Sequence, residues 1–85
     1  MNKFFIVAVK DELTGSFLQP TFGETIAELE RIFKYQINNI DLWRCNSSDY
    51  TLYKLGVYDQ ETGEIISNLE RLVNGRAVLE QKKED

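Results

Sequence analysis

Hydrophobic residues follow strand patterns near both ends of the chain and a helix pattern between them. Within residues 3–9, KFFIVAV, both the even-numbered positions and the odd-numbered positions after Lys3 are apolar. Alternate residues of a strand point to opposite faces, so this pattern predicts a strand buried on both faces. Residues 50–58, YTLYKLGVY, predict a second strand whose alternate side chains point to opposite faces of a sheet. The chain therefore has two long strands that are far apart in sequence.

The segment between these strands predicts the main helix, over residues 23–39, GETIAELERIFKYQINN. Its apolar side chains recur at helical spacing: Ile26, Leu29, Ile32, Phe33 and Ile37. Capping-box spacing occurs at Thr21-x-x-Glu24 and again at Thr25-x-x-Glu28, so the helix has two candidate starts one turn apart. Residues 40–49, IDLWRCNSSD, show no clear period and predict a connecting loop.

Each long strand is followed by the same five-residue pattern, D-x-x-T-G, at residues 11–15 and 59–63. The Asp carboxylate accepts hydrogen bonds from backbone N–H groups two residues on, and Gly supplies the positive φ that lets a return strand pair. Both patterns predict hairpins. Their return strands are SFLQ, which ends at Pro20 because proline has no N–H for a ladder, and EIIS.

The region after the second hairpin fits two structures. Ser67-x-x-Glu70 with Leu69, Leu72 and Val73 predicts a short helix, whereas Asn74-Gly75 between apolar segments is typical of a tight hairpin. We favour a short helix or turn followed by a final strand near residues 77–80. The charged residues 82–85, KKED, predict a solvated tail.

Together these elements predict one α+β domain over residues 1–81. Its core is a four- to five-stranded antiparallel sheet built from two hairpins, with one main helix packed on one face. A single helix covers one face of such a sheet, yet both faces carry apolar residues. We therefore expect a homodimer, joined through the face or edge of the sheet that the helix leaves uncovered.

The composition excludes several kinds of chemistry. The 85 residues include no histidine and one cysteine, so we expect no metal site, no cofactor and no enzymatic activity. Cys45 has no partner for an internal disulfide, which fits a reducing cytoplasm. A membrane span is not expected either, because the chain has no apolar run of about 18 residues.

Charge and aromatic content point in opposite directions for nucleic-acid binding. The net charge of −4 opposes it, since Lys and Arg contacts to phosphate supply most non-specific affinity. Aromatic residues beside lysines on the strands favour it, because such rings stack on unpaired bases. A core or a dimer interface is the more common role of strand aromatics, and a hydrophobic anchor is the more common role of a loop tryptophan. The candidate binding residues are Lys3, Phe5, Lys10, Tyr50, Lys54 and Tyr58 on strands and Trp43 and Arg44 in the predicted loop.

Residues 49–65, DYTLYKLGVYDQETGEI, resemble the small non-structural protein family of the gokushovirus-type microviruses, tailless phages with circular single-stranded DNA genomes. The matching positions are Asp49-Tyr50-Thr51-Leu52, Leu55-Gly56, Asp59 and Thr62-Gly63, and Gln19-Pro20 before the helix matches as well.

The resemblance implies a non-enzymatic phage accessory protein in the cytoplasm of the bacterial host. It also implies that the protein binds single-stranded DNA or the replication machinery during genome synthesis and packaging. The acidic charge supports an alternative, a protein–protein adaptor that acts on a phage or host protein without nucleic-acid contact.

Overall fold

The computed structural model describes residues 3–80, which form an open five-stranded antiparallel sheet with a main helix on one face. The strands are β1 (Lys3–Asp11), β2 (Ser16–Phe17), β3 (Thr21–Gly23), β4 (Tyr50–Asp59) and β5 (Ile65–Asn74). The helices are α1 (Ile26–Asn39), α2 (Asp41–Cys45) and α3 (Gly75–Val78), with a 3₁₀ turn at Ser47–Asp49. The strand order is β2-β1-β4-β5, and β3 also pairs with β1. The predicted fold class is confirmed.

Both D-x-x-T-G patterns close hairpins, as the sequence predicts. In each turn the Asp carboxylate accepts a hydrogen bond from the backbone N–H two residues on, at 3.0 Å for Asp11 and 2.9 Å for Asp59. Gly15 and Gly63 have φ values of +80° and +76°, in the left-handed region that favours glycine. Their N–H groups donate back to the Asp carbonyls at 2.7 and 2.8 Å. One local device therefore makes both hairpins.

The return strand of the first hairpin is shorter than predicted. β2 ends at Phe17, and after Pro20 the chain rejoins the sheet as β3, with Phe22 opposite Ile6 of β1. The helix then begins later than Gly23. Of its two candidate caps, Thr25 is the N-cap, because its Oγ1 accepts a hydrogen bond from the Glu28 N–H at 3.1 Å.

The prediction of a loop over residues 40–49 is wrong, since α2 and the 3₁₀ turn occupy most of it. A five-residue helix is too short to show a hydrophobic period. Tertiary contacts hold it instead: the Trp43 ring stacks on Tyr50, with centroids 4.8 Å apart and planes 17° from parallel. Arg44 donates from Nη1 to Asn38 Oδ1 at 3.0 Å and from Nη2 to the Glu80 carbonyl at 2.7 Å.

The predictions for residues 67–80 are also wrong. Residues 65–74 continue the second hairpin as the ten-residue strand β5, and the segment after it is the short helix α3 rather than a strand. Pairing along the equally long β4 overrides the helical spacing of Glu70, Leu72 and Val73. Asn74-Gly75 joins β5 to α3 and is no hairpin turn. The predicted tail at residues 82–85 lies outside the described residues.

The core lies on the side of the sheet that faces α1. Its buried side chains are Val7 and Val9 from β1, Leu29, Phe33 and Ile37 from α1, and Tyr50 and Leu52 from β4. The 14-residue helix is about 21 Å long, whereas the ten-residue strands β4 and β5 are about 33 Å long. The β4–β5 hairpin therefore extends past the helix. The Cα radius of gyration is accordingly 14.0 Å, against about 12 Å for a compact chain of this length.

Candidate functional site

The sheet face opposite α1, here called the open face, carries an apolar depression. Cross-strand pairs share a face, and the register sets Phe4 opposite Tyr58, Tyr58 opposite Ile65, and Ile6 opposite Phe22. These five side chains line a depression of about 580 Å³. Four strands contribute to it, so the fold as a whole creates the site. We call it the open-face depression.

The open-face depression is apolar and accessible. Phe22 is 64% exposed and Ile65 63% exposed, while Ile6 at the floor is 8% exposed. The Tyr58 hydroxyl is the one polar side-chain group among the five lining residues. The depression therefore offers van der Waals contact and ring stacking to a flat or apolar group, and it provides no charge.

A second group of rings, here called the Lys10 cluster, lies on the same face. Phe17 and Tyr53 pack edge to face, with centroids 5.4 Å apart and planes at 73°. Lys10 Nζ lies 5.6 Å from the Phe17 centroid and 5.9 Å from that of Tyr53. Glu12 lies 3.7 Å from the same Nζ and accepts a hydrogen bond from the Tyr53 hydroxyl at 3.4 Å. The cation of this cluster is thus already paired with a carboxylate.

Only part of the predicted site comes together. Lys10 and Tyr58 lie on the open face, in the Lys10 cluster and the open-face depression respectively. Phe5 and Tyr50 lie on the opposite, helix-covered face and pack with the core. Burial raises the pKa of the Tyr50 phenol, and the nearby carboxylates of Asp11 and Asp49 raise it further. Tyr50 is therefore a core residue and no part of an accessible binding surface.

The other predicted residues lie apart from the open-face depression. Lys54 forms an ion pair with Glu70 at 2.9 Å. Trp43 stacks on Tyr50 of the core, which is the anchoring role expected of a loop tryptophan, and Arg44 donates to the Glu80 carbonyl. Lys3 is exposed at the start of β1, opposite Asp59 in register.

The predicted site includes one of the five residues that line the open-face depression, Tyr58, and misses Phe4, Ile6, Phe22 and Ile65. Phe22 lies in a three-residue strand between Pro20 and the helix cap, which is too short for a period to show. Ile65 lies in the predicted return strand EIIS, where only the pairing register shows which face its side chain takes. Counting outward from the D-x-x-T-G turn pairs Ile65 with Tyr58, and that signal was available.

Metal-binding clusters and membrane-spanning helices are both absent from residues 3–80. Across residues 3–80, no group of three or more His, Cys, Asp or Glu side chains is arranged to hold a metal ion. Within the same residues no helix has both the length and the apolar character that crossing a membrane requires. Cys45 is free and exposed.

Comparison with known proteins gives one match. No curated protein and no solved structure matches the chain. The model of the family described as "Phage ORF5 protein" matches residues 4–78, from the first strand through α3. Because that match covers nearly the whole chain, the protein belongs to the Phage ORF5 protein family.

Proposed function

We propose that this phage protein is a non-enzymatic accessory factor whose open face binds the unpaired bases of single-stranded DNA. Its setting would be the cytoplasm of a host infected by a microvirus, during genome synthesis and packaging. The observation that supports this most strongly is the set of accessible rings on one face of the sheet. Phe4, Phe22 and Tyr58 surround the open-face depression, and Phe17 and Tyr53 form the Lys10 cluster.

Ring stacking is the physical basis of this proposal. Each base that stacks on an aromatic side chain contributes about 1–3 kcal/mol, with little dependence on sequence because every base has a π-face. The rings lie on paired strands of a sheet, so they are held in place before a ligand arrives. A preorganised surface loses little conformational entropy when it binds.

Phosphate contacts contribute less in this proposal. Lys10 is paired with Glu12 and Lys54 with Glu70, and the net charge is −4. Binding should therefore depend only weakly on salt. With one or two phosphates neutralised, the slope of log K against log salt is about −1 for a single strand.

Fluorescence anisotropy with a labelled oligothymidine of about 20 nucleotides at about 50 mM salt tests the proposal. Tyr58→Ala and Phe22→Ala should each weaken binding by about 5- to 150-fold, the equivalent of one lost stacking contact. Tyr35→Ala is the matched control, because Tyr35 is 68% exposed on α1, away from the open face. No binding into the high micromolar range, or an equal loss in the control, would refute direct DNA contact.

The second candidate is the protein–protein adaptor, which is favoured by the apolar lining of the open-face depression and the acidic charge. Such a surface suits a partner with an apolar side chain surrounded by basic residues, such as a replication protein. A pull-down from infected cells, with and without nuclease, separates the two candidates. A partner retained after nuclease treatment supports the adaptor, whereas a partner lost with the nucleic acid supports the DNA-binding function.

A further inference from the structure

β5 is the outer strand of the sheet, and its outer edge is open. It pairs with β4 on one side, and no strand within residues 3–80 pairs with the other side. Residues 65–71 are all exposed. The Asp59 N–H donates to the Glu64 carbonyl at 2.9 Å. By the alternation of an antiparallel ladder, Ile65 and Ser67 therefore direct their backbone groups outward.

This edge has few of the features that normally prevent strand pairing. Proteins protect exposed edges with proline, lysine, β-bulges or very short strands. Residues 65–71, IISNLER, contain one irregularity, a shift of register against β4 between Ser67 and Glu70. They contain neither proline nor lysine and belong to a ten-residue strand. Their large aliphatic side chains are instead accessible: Ile65 is 63%, Ile66 55% and Leu69 61% exposed. An edge of this kind is a template for another strand.

We propose that the outer edge of β5 pairs with β5 of a second copy of the chain, antiparallel about a two-fold axis at Asn68. Asn68 is the midpoint of the exposed stretch 65–71. The pairing joins two sheets into one of ten strands. It does not depend on the proposed function, because it uses the backbone edge of the sheet, and of the residues that line the open-face depression it contacts Ile65 alone.

The sequence of β5 is self-complementary in this arrangement, which is why a second copy is the expected occupant. Pairing about Asn68 sets Ile66 opposite Glu70 of the second copy and Ile65 opposite Arg71 of the second copy. No two like charges are opposed, and the aliphatic stem of each charged residue covers an isoleucine. The two Asn68 amides meet at the axis, where each can donate to the other.

The size of the contact sets the expected strength. Seven paired residues extend about 23 Å along the edge, and the molecule is 16 Å thick in its shortest direction. The contact therefore buries about 700 Å² in total over both copies, which is at the weak end of specific interfaces. We expect a dimer that dissociates in the micromolar range and whose population depends on concentration.

Analytical ultracentrifugation of the full chain over about 1–500 μM tests the proposal, since this range spans micromolar dissociation. The mass should rise from 9.9 kDa toward twice that value. Ile66→Glu and Leu69→Lys should each weaken association at least about tenfold. The first sets a carboxylate opposite Glu70 of the second copy, and the second places a charge on the apolar edge. Leu13→Lys and Leu42→Lys are matched controls, since both leucines are exposed and lie away from β5.

A crosslinking experiment provides a second test of the dimer in case a charged variant folds poorly. In a Cys45→Ser background, Asn68→Cys should form an interchain disulfide with oxidised glutathione much faster than Leu13→Cys does. A mass that stays at 9.9 kDa throughout the range overturns the proposal. So does a dimer that the charged substitutions in β5 leave unchanged, or equal crosslinking at the two cysteine positions.

Discussion

Replacing Asn74 by Asp should destabilise the protein far more than so small a change suggests. The Asn74 side chain has two roles at the junction of β5 and α3. Its Oδ1 accepts a hydrogen bond from the Arg76 N–H at 3.0 Å, which caps α3. Its Nδ2 donates to Thr51 Oγ1 at 2.9 Å and to the carbonyls of Ser48 and Tyr50 at 3.0 and 3.3 Å. Aspartate keeps the first role, since it is as good an N-cap, and loses the second.

The size of the stability loss follows from the groups that would surround the new carboxylate at position 74. Thr51 is fully buried, with 0% of its surface exposed, but its hydroxyl can turn to donate to the carboxylate, so the loss falls on the carbonyls of Ser48 and Tyr50. The two backbone carbonyls would then lie against a negative oxygen instead of an N–H. Leaving such groups unsatisfied costs about 2–3 kcal/mol. This cost is a large share of the free energy of unfolding, which is roughly 4–13 kcal/mol for a chain of this length.

Urea unfolding followed by the fluorescence of Trp43 measures this loss, because Trp43 is the one tryptophan and is partly buried against the core. Asn46→Asp is the control: Asn46 also donates a side-chain bond to a backbone carbonyl, that of Leu42 at 2.8 Å, but at an exposed site. It should cost less than about 1 kcal/mol.

The same variant tests the rejected hairpin. A type I′ turn accepts Asp-Gly almost as readily as Asn-Gly, so a hairpin at residues 74–75 would tolerate Asn74→Asp. A measured loss below about 0.5 kcal/mol, no larger than that of an ordinary surface substitution, would contradict the junction described here.

Three further predictions use the same unfolding assay. Thr25→Ala should cost about 1 kcal/mol because it removes the N-cap of α1, and Thr21→Ala should cost less. Gly56→Ala should cost about 1–3 kcal/mol, because a Cβ there would overlap the Ile66 carbonyl and push β5 from β4. The raised pKa of Tyr50 stabilises the folded state below the unfolded value of about 10, and that stability is lost as the pH rises through the folded pKa. Tyr50→Phe should therefore lose less stability than the wild type as the pH rises above about 10, and an equal loss would contradict the assignment.

Local signals predict the elements whose chemistry is complete within a few residues. The two D-x-x-T-G turns fold alike because the Asp carboxylate and the Gly φ act within five residues. The helix period is likewise visible because α1 has four turns. Predictions from the sequence fail where the local structure depends on a segment that is distant along the chain. β5 exists because β4 is ten residues long, and α2 exists because Trp43 has Tyr50 to stack on.

The candidate site was predicted less well than the fold, for a related reason. Aromatic composition indicates that rings lie on strands, but the register decides which face each ring takes. Phe5 and Phe4 are neighbours with the same side chain, yet Phe5 packs with the core and Phe4 lines the open-face depression. A shift of one residue exchanges the two faces of a strand. Functional residues on a sheet therefore cannot be assigned from composition until the pairing is known.

The difference between the two hairpins concentrates the accessible apolar surface at one end of the molecule. Both begin with the same turn, but Pro20 follows the short β2, whereas no proline interrupts β5. The second return strand therefore continues for ten residues and extends past α1. Ile65 and Ile66, on opposite faces just after the turn, are left uncovered by the helix. The open-face depression and the free edge of β5 thus have a common origin, a hairpin longer than the helix that packs against it.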